Sequence, residues 1–179
     1  MKYLSKVISA TFFLFLCAQV QCSLPFTPVP ITLQTFAVML ISLLLARGVA
    51  VGSVLLYLIL GFSGLPVFSQ FSTAAINGKT SGYLVGMLLS SFFVSTHVKN
   101  GKLESWSGCF KIALTNSLCV LGTGALVLGF WLPWSQVFGL GVLPFIPGDI
   151  IKSSSALFLA RAYRRRAQKT AGFDDFWGY

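Results

Sequence analysis

Leu143-Pro144-Phe145-Ile146-Pro147-Gly148-Asp149-Ile150-Ile151-Lys152 opens the last long apolar run of the chain and carries an acid and a base three residues apart. Pro144 and Pro147 lack the amide hydrogen that a helix interior needs, so they mark a helix entrance. Beyond them, a spacing of three puts Asp149 and Lys152 on one face, about one turn apart. The other strongly apolar runs lack such a pair. Because charge is costly in hydrocarbon, an ionisable residue inside a membrane span is by default a functional site.

The membrane setting itself follows from composition. The 179 residues are 55% hydrophobic and 9% charged, with a mean hydropathy of +0.81; a soluble domain would carry about a quarter charged residues. Most of the surface must therefore face a lipid bilayer. The formal net charge of +9 does not point to nucleic acid. Its basic residues fall between and after the apolar runs, densest at Arg161, Arg164, Arg165, Arg166 and Lys169, the layout of cytoplasmic anchors. Cys17, Cys22, Cys109 and Cys119 lack paired spacing, and His97, read here as part of a polar loop, is the single histidine. No metal site, catalytic triad or cofactor is expected.

The apolar runs predict an all-α integral membrane protein, one domain of six transmembrane helices at about residues 4–22, 33–46, 49–61, 81–96, 112–132 and 147–163. The second and third are shorter than the ~20 residues of a full crossing. Lys2 and Lys6 before Val7–Val20 would also suit a signal peptide. However, Gln19-Val20-Gln21 before Cys22 is not a small-residue cleavage site, so a retained first span is expected. With N- and C-termini cytoplasmic, all 13 Lys and Arg except Lys79 and Lys152 fall on inner segments.

That topology brings three elements to the outer face: the proline-rich stretch Pro25–Pro30, the 61–80 loop and the Asp149/Lys152 end of the last span. Thr32 either caps the second helix or meets a ligand. Leu65, Val67, Phe68 and Phe71 suggest a loop that folds back over a site. Gly78-Lys79-Thr80 ends like a phosphate-binding loop, but Thr73 stands where its first glycine belongs, so ATP is not bound by that route. Trp131 and Trp134 close the fifth span as interfacial aromatics. Asn116 within that span is placed to hydrogen-bond a neighbouring helix or a ligand. The tail Gly172–Tyr179 is assigned no role.

Charge logic leaves two readings of the pair. Asp149 and Lys152 neutralise each other as an ion pair, or Lys152 meets a ligand carboxylate while Asp149 accepts from ligand N–H groups. Pro147-Gly148-Asp149 is similar to the glycine-aspartate element of intramembrane aspartyl proteases, whose chemistry needs two carboxylates sharing a proton. Asp149 is the one acid within a predicted span. Unless a second copy supplies its partner, no enzyme is expected.

Four stretches in order carry a resemblance: Pro28-Val29-Pro30-Ile31-Thr32-Leu33-Gln34-Thr35, Gly64-Leu65-Pro66-Val67-Phe68, Gly82-Tyr83-Leu84-Val85-Gly86, and Leu143 through Lys152. Together they resemble the signature of the BioY family, the biotin-binding membrane subunits of energy-coupling-factor transporters. The resemblance implies a six-helix membrane fold with one biotin near the outer face. Asp149 and Lys152 would hold its polar groups, with Tyr83 and Gln34 near the pocket and the 61–80 loop as lid. It also implies a membrane coupling subunit and an ATPase pair as partners, and residence in the inner (cytoplasmic) membrane. Solo biotin uptake without ATPase partners, or a structural role with Asp149–Lys152 as an ion pair, are the alternatives. The chain departs from the pattern in two places. Gly78-Lys79-Thr80-Ser81-Gly82-Tyr83 stands where the family has Gly-Pro-Thr-Gly-Gly-Tyr. Phe12, Phe13 and Phe15 make the first span bulky where the family has small residues spaced by four.

Overall fold

In the computed structural model, which describes residues 2–73 and 78–169, helix α1 (Lys2–Gln19) leads into a minimal antiparallel pair, β1 (Gln21–Cys22) with β2 (Ile31–Thr32). Gln21 faces Thr32 and Cys22 faces Ile31. The three prolines between these strands rule out helix, and the chain bends instead. Then follow α2 (Gln34–Leu44), α3 (Arg47–Phe62), a short turn at Ser69–Phe71, and α4 (Ser81–Lys99). A long helix comes next, built from α5 (Trp106–Ser117), a widened π turn (Leu118–Gly122) and α6 (Thr123–Leu128). Helix α7 (Trp134–Gly141), a 3-10 turn (Leu143–Phe145) and α8 (Ile146–Lys169) complete the order.

Helix α4 is the centre of the bundle, packing against α2, α3, α5, the π turn and α6. It can do so because small residues recur along it: Gly82, Gly86 and Ser90 follow at intervals of four and are all buried. A Cβ at Gly86 would sit 2.5 Å from the Cys119 carbonyl oxygen and 2.8 Å from the Val120 Cα. Thr123 seals the same contact, its hydroxyl donating to the Gly82 carbonyl (2.9 Å) and lying 2.5 Å from that of Cys119. A side chain bonding back into its own helix disturbs the regular ladder, and here the disturbed turn is the π segment.

Among the described residues, three helical stretches are long and apolar enough to cross a membrane: Ser81–Lys99, Trp106–Leu128 and Trp134–Arg166. Helices α2 and α3 are shorter, at 11 and 16 residues. The outward residues are large and apolar, including Phe12, Phe92, Phe110, Leu118 and Phe158, as a lipid-facing surface requires. Trp131 and Trp134 are also exposed, close to the start of α7.

Several local expectations are corrected. His97 is not in a loop; α4 continues through Lys99, and the ring lies 3.1 Å from the Thr115 hydroxyl and 3.2 Å from Lys102 Nζ. Lys111 belongs to α5, which starts at Trp106 because Ser105 caps it, accepting from the Gly108 N–H at 3.0 Å. Residues 134–141, between the last two predicted spans, form helix α7 behind Pro133. Thr32 lies one residue before Leu33, the cap position of α2, and its hydroxyl accepts from the Gln34 N–H at 3.4 Å, so it does serve the start of that helix. At the other end of α2, Arg164 donates to the Leu43 carbonyl at 2.9 Å, satisfying an end that lacks intrahelical donors. The tail Gly172–Tyr179 lies outside the described residues.

Gly86→Ala is expected to lower the apparent melting temperature of the detergent-purified protein, because overpacking costs about 1–3 kcal/mol. Gly122→Ala is the control, since its added methyl would meet nothing within 4 Å beyond its own stretch of helix. Thermal unfolding followed by light scattering separates the two.

Candidate binding site

At one end of the bundle, the first turns of α2, α4 and α8 meet around a cavity of about 320 Å³. Small-molecule sites run from about 300 to 1,000 Å³. Gln34, Tyr83, Asp149 and Lys152 all line it, together with Thr32, Thr35 and residues of the 61–80 loop. Its apolar wall includes Val29, Leu84, Met87, Val120, Leu121 and Phe145. Helix N-termini carry partial positive charge, which favours an anionic or acceptor group nearby.

Asp149 and Lys152 turn to different neighbours. Lys152 reaches across to α2, donating to the Thr35 hydroxyl (2.7 Å) and the Thr32 carbonyl (3.2 Å). An ammonium has three N–H donors, so one remains. Asp149 is buried and accepts from the Ser117 hydroxyl on α5, leaving its second oxygen for another donor. Each charge is thus solvated by protein dipoles while keeping capacity toward the cavity.

Gln34 and Tyr83 are anchored differently. The Gln34 amide accepts from the Thr32 hydroxyl (3.0 Å) and donates to the Tyr57 hydroxyl (2.5 Å), which in turn donates to the Val67 carbonyl at 3.1 Å. This chain ties the floor of the site to the loop above it. Tyr83 donates to the Gly141 carbonyl (2.7 Å), and its ring packs 5.9 Å from that of Phe145. It is a wall whose hydroxyl is already occupied.

The loop is held from two sides. Phe68 is buried edge-on against Tyr57 (5.2 Å) and Phe62 (5.8 Å), over Gly61, where any side chain would collide with the ring. Gln19 at the end of α1 donates to the carbonyls of Phe68 (3.1 Å) and Val67 (3.4 Å) and accepts from the Phe71 N–H (3.2 Å). It thereby holds a turn in which Gln70 and Phe71 both take left-handed φ values, 59° and 51°. Such conformations cost non-glycine residues on the order of 1–3 kcal/mol each and persist only where neighbours enforce them.

Sequence reasoning missed Tyr57, Ser117 and Gln19. A lone phenol in the apolar run Val49–Leu60 was a usable signal for Tyr57, since a buried hydroxyl needs a partner. Nothing local distinguishes Ser117 from the many other serines. Asn116, which was noted, turns to α4 and accepts from Ser90 at 2.7 Å.

A helical bundle with apolar outer surfaces and a polar-tipped cavity at one end defines a small-molecule-binding membrane protein. The profile of the BioY family matches residues 1–169, and the chain belongs to that family. It is 36% identical over 142 residues to the probable biotin transporter BioY of Pyrococcus horikoshii, covering 78% of this chain and 83% of that one. It is 33% identical over 141 residues to the biotin transporter BioY of Thermotoga maritima (77% and 82% covered). A solved structure of the S-component for biotin from an ECF-type ABC transporter superposes with a TM-score of 0.84 at 28% identity, covering 98% of this chain and 95% of that one.

Gln19→Ala removes three contacts to the loop. At roughly 1 kcal/mol per hydrogen bond, amide exchange in residues 67–72 is expected to accelerate tenfold or more while α4 is unchanged. Hydrogen–deuterium exchange mass spectrometry reads this directly.

Proposed function

We propose that this chain captures biotin for uptake as the substrate-binding S subunit of an ECF-type transporter, and that the Asp149/Lys152 cavity is its site. The observation that carries the reading is the placement of an acceptor and a donor, one helical turn apart, in an apolar-walled cavity of about 320 Å³. The names of its relatives and the likeness to a biotin S-component support the same ligand. Biotin offers ureido N–H groups to the open oxygen of Asp149. It also offers oxygen acceptors, ureido or carboxylate, to the remaining donor of Lys152. Its bicyclic ring and aliphatic chain suit the Leu84, Met87, Val120 and Phe145 wall.

In this reading all six predicted spans cross the inner membrane with both termini cytoplasmic, as the distribution of Lys and Arg favours. The cavity then faces outward, and the 61–80 loop closes over bound ligand. Gly78-Lys79-Thr80 carries no complete nucleotide motif, so energy comes from a partner ATPase pair through a membrane coupling subunit. The chain itself performs no covalent chemistry.

Biotin binding to the detergent-purified protein, measured by isothermal titration calorimetry, tests the site. Asp149→Asn and Lys152→Ala are each expected to weaken binding tenfold or more, since hydrogen bonds to charged groups contribute about 1.5–3 kcal/mol. Unchanged binding in both variants would move the site elsewhere; no binding by folded wild type would remove the biotin assignment. Uptake of labelled biotin in cells lacking the ATPases is expected to fall to background, and undiminished uptake would favour a solo carrier.

A further inference from the structure

At the opposite end of α8 from Asp149, a second cavity of about 420 Å³ lies between α5 and α8. Its α8 side is formed by Ser154, Leu157, Phe158, Arg161, Ala162 and Arg165. These residues recur at intervals of three and four, so they form one continuous stripe. The stripe changes character along its length: Leu157 and Phe158 are apolar, and Arg161 and Arg165, one turn apart, are cationic. Across from it α5 contributes Trp106 and Cys109.

Arg161 is held ready. Its guanidinium stacks over the Trp106 ring at 5.1 Å, donates to the Glu104 carbonyl at 3.1 Å, and approaches Cys109 Sγ at 3.8 Å. A guanidinium has five N–H donors, so these contacts leave several unused. Trp106 is 83% exposed and Phe158 72% exposed, although both border the cavity. The carboxylate of Glu104, the nearest acid in sequence to this wall, belongs to an exposed residue outside the lining.

We infer that this groove binds one anionic phospholipid, with its phosphate on Arg161 and Arg165, its glycerol region beside Trp106 and an acyl chain along Leu157 and Phe158. Charge complementarity and the direction of the stripe together select this occupant. The cations lie at the end of a membrane-length helix, at headgroup depth, and the apolar half of the stripe continues from them toward the hydrocarbon. A free anion would use the arginines but not the apolar half. The inference rests on the membrane placement of the long helices, and not on the identity of the transported ligand.

The test is native mass spectrometry of the full chain released from micelles containing equal amounts of phosphatidylglycerol and phosphatidylcholine of matched chain length. Wild type is expected to retain phosphatidylglycerol in preference. Each arginine near anionic lipid contributes roughly a fivefold effect, so Arg161→Gln/Arg165→Gln should cut that preference by an order of magnitude. Lys2→Gln/Lys99→Gln, with the same charge loss elsewhere, should leave it intact. Calorimetric biotin titration of the arginine variant checks that the bundle is folded. The proposal is overturned if wild type shows no preference, if the arginine variant keeps it, or if the lysine control loses it equally. Displacement of the adduct by equimolar glycerol phosphate would also overturn it, because the acyl chain would then contribute nothing.

Discussion

The structure is organised by the need to keep two charges inside an apolar bundle. An ammonium or carboxylate withdrawn from water is tolerated only where dipoles replace its hydration. Helix α8 solves this by sending Lys152 to the Thr35 hydroxyl and Thr32 carbonyl on α2, and Asp149 to Ser117 on α5. Those contacts staple α8 to both neighbours at the level of the cavity. They also leave each charge with unused hydrogen-bonding capacity on the cavity side.

The floor of the cavity is also tied to the loop. Thr32, Gln34, Tyr57 and the Val67 carbonyl form one hydrogen-bonded line from the mouth of α2 to the segment above the cavity. Lys152 holds the carbonyl of the same Thr32 whose hydroxyl starts that line. Lys152 and Gln34 therefore share Thr32 as a common neighbour, and Tyr57 links Gln34 to the loop. The buried Phe68 ring and the left-handed turn at Gln70 and Phe71 lie where the loop lines the cavity.

Much of this was legible in the chain itself, for identifiable reasons. Charge is so scarce in the apolar runs that Asp149 and Lys152 stand out, and proline at 144 and 147 announces the helix they open. Gln34 and Tyr83 were reached through the resemblance of their surrounding stretches, and the fold brings both to the same cavity. What escaped were partners defined only by tertiary packing. Ser117 and Gln19 are ordinary polar residues until α8 and the loop arrive beside them. Helix boundaries slipped where polar composition masqueraded as loop: His97 and Lys111 are helical because a bundle end can extend past the apolar core into a polar environment. The short α7 was hidden because the chain between Trp134 and Gly141 was too brief to register as a span.

The most direct test of the central claim is a structure of the biotin complex. The account predicts biotin inside the cavity, with its ureido N–H within hydrogen-bond distance of Asp149, about 3 Å. Lys152 Nζ should lie equally close to a biotin oxygen. Biotin bound elsewhere, or in the cavity with Asp149 and Lys152 out of reach of its polar groups, would contradict it.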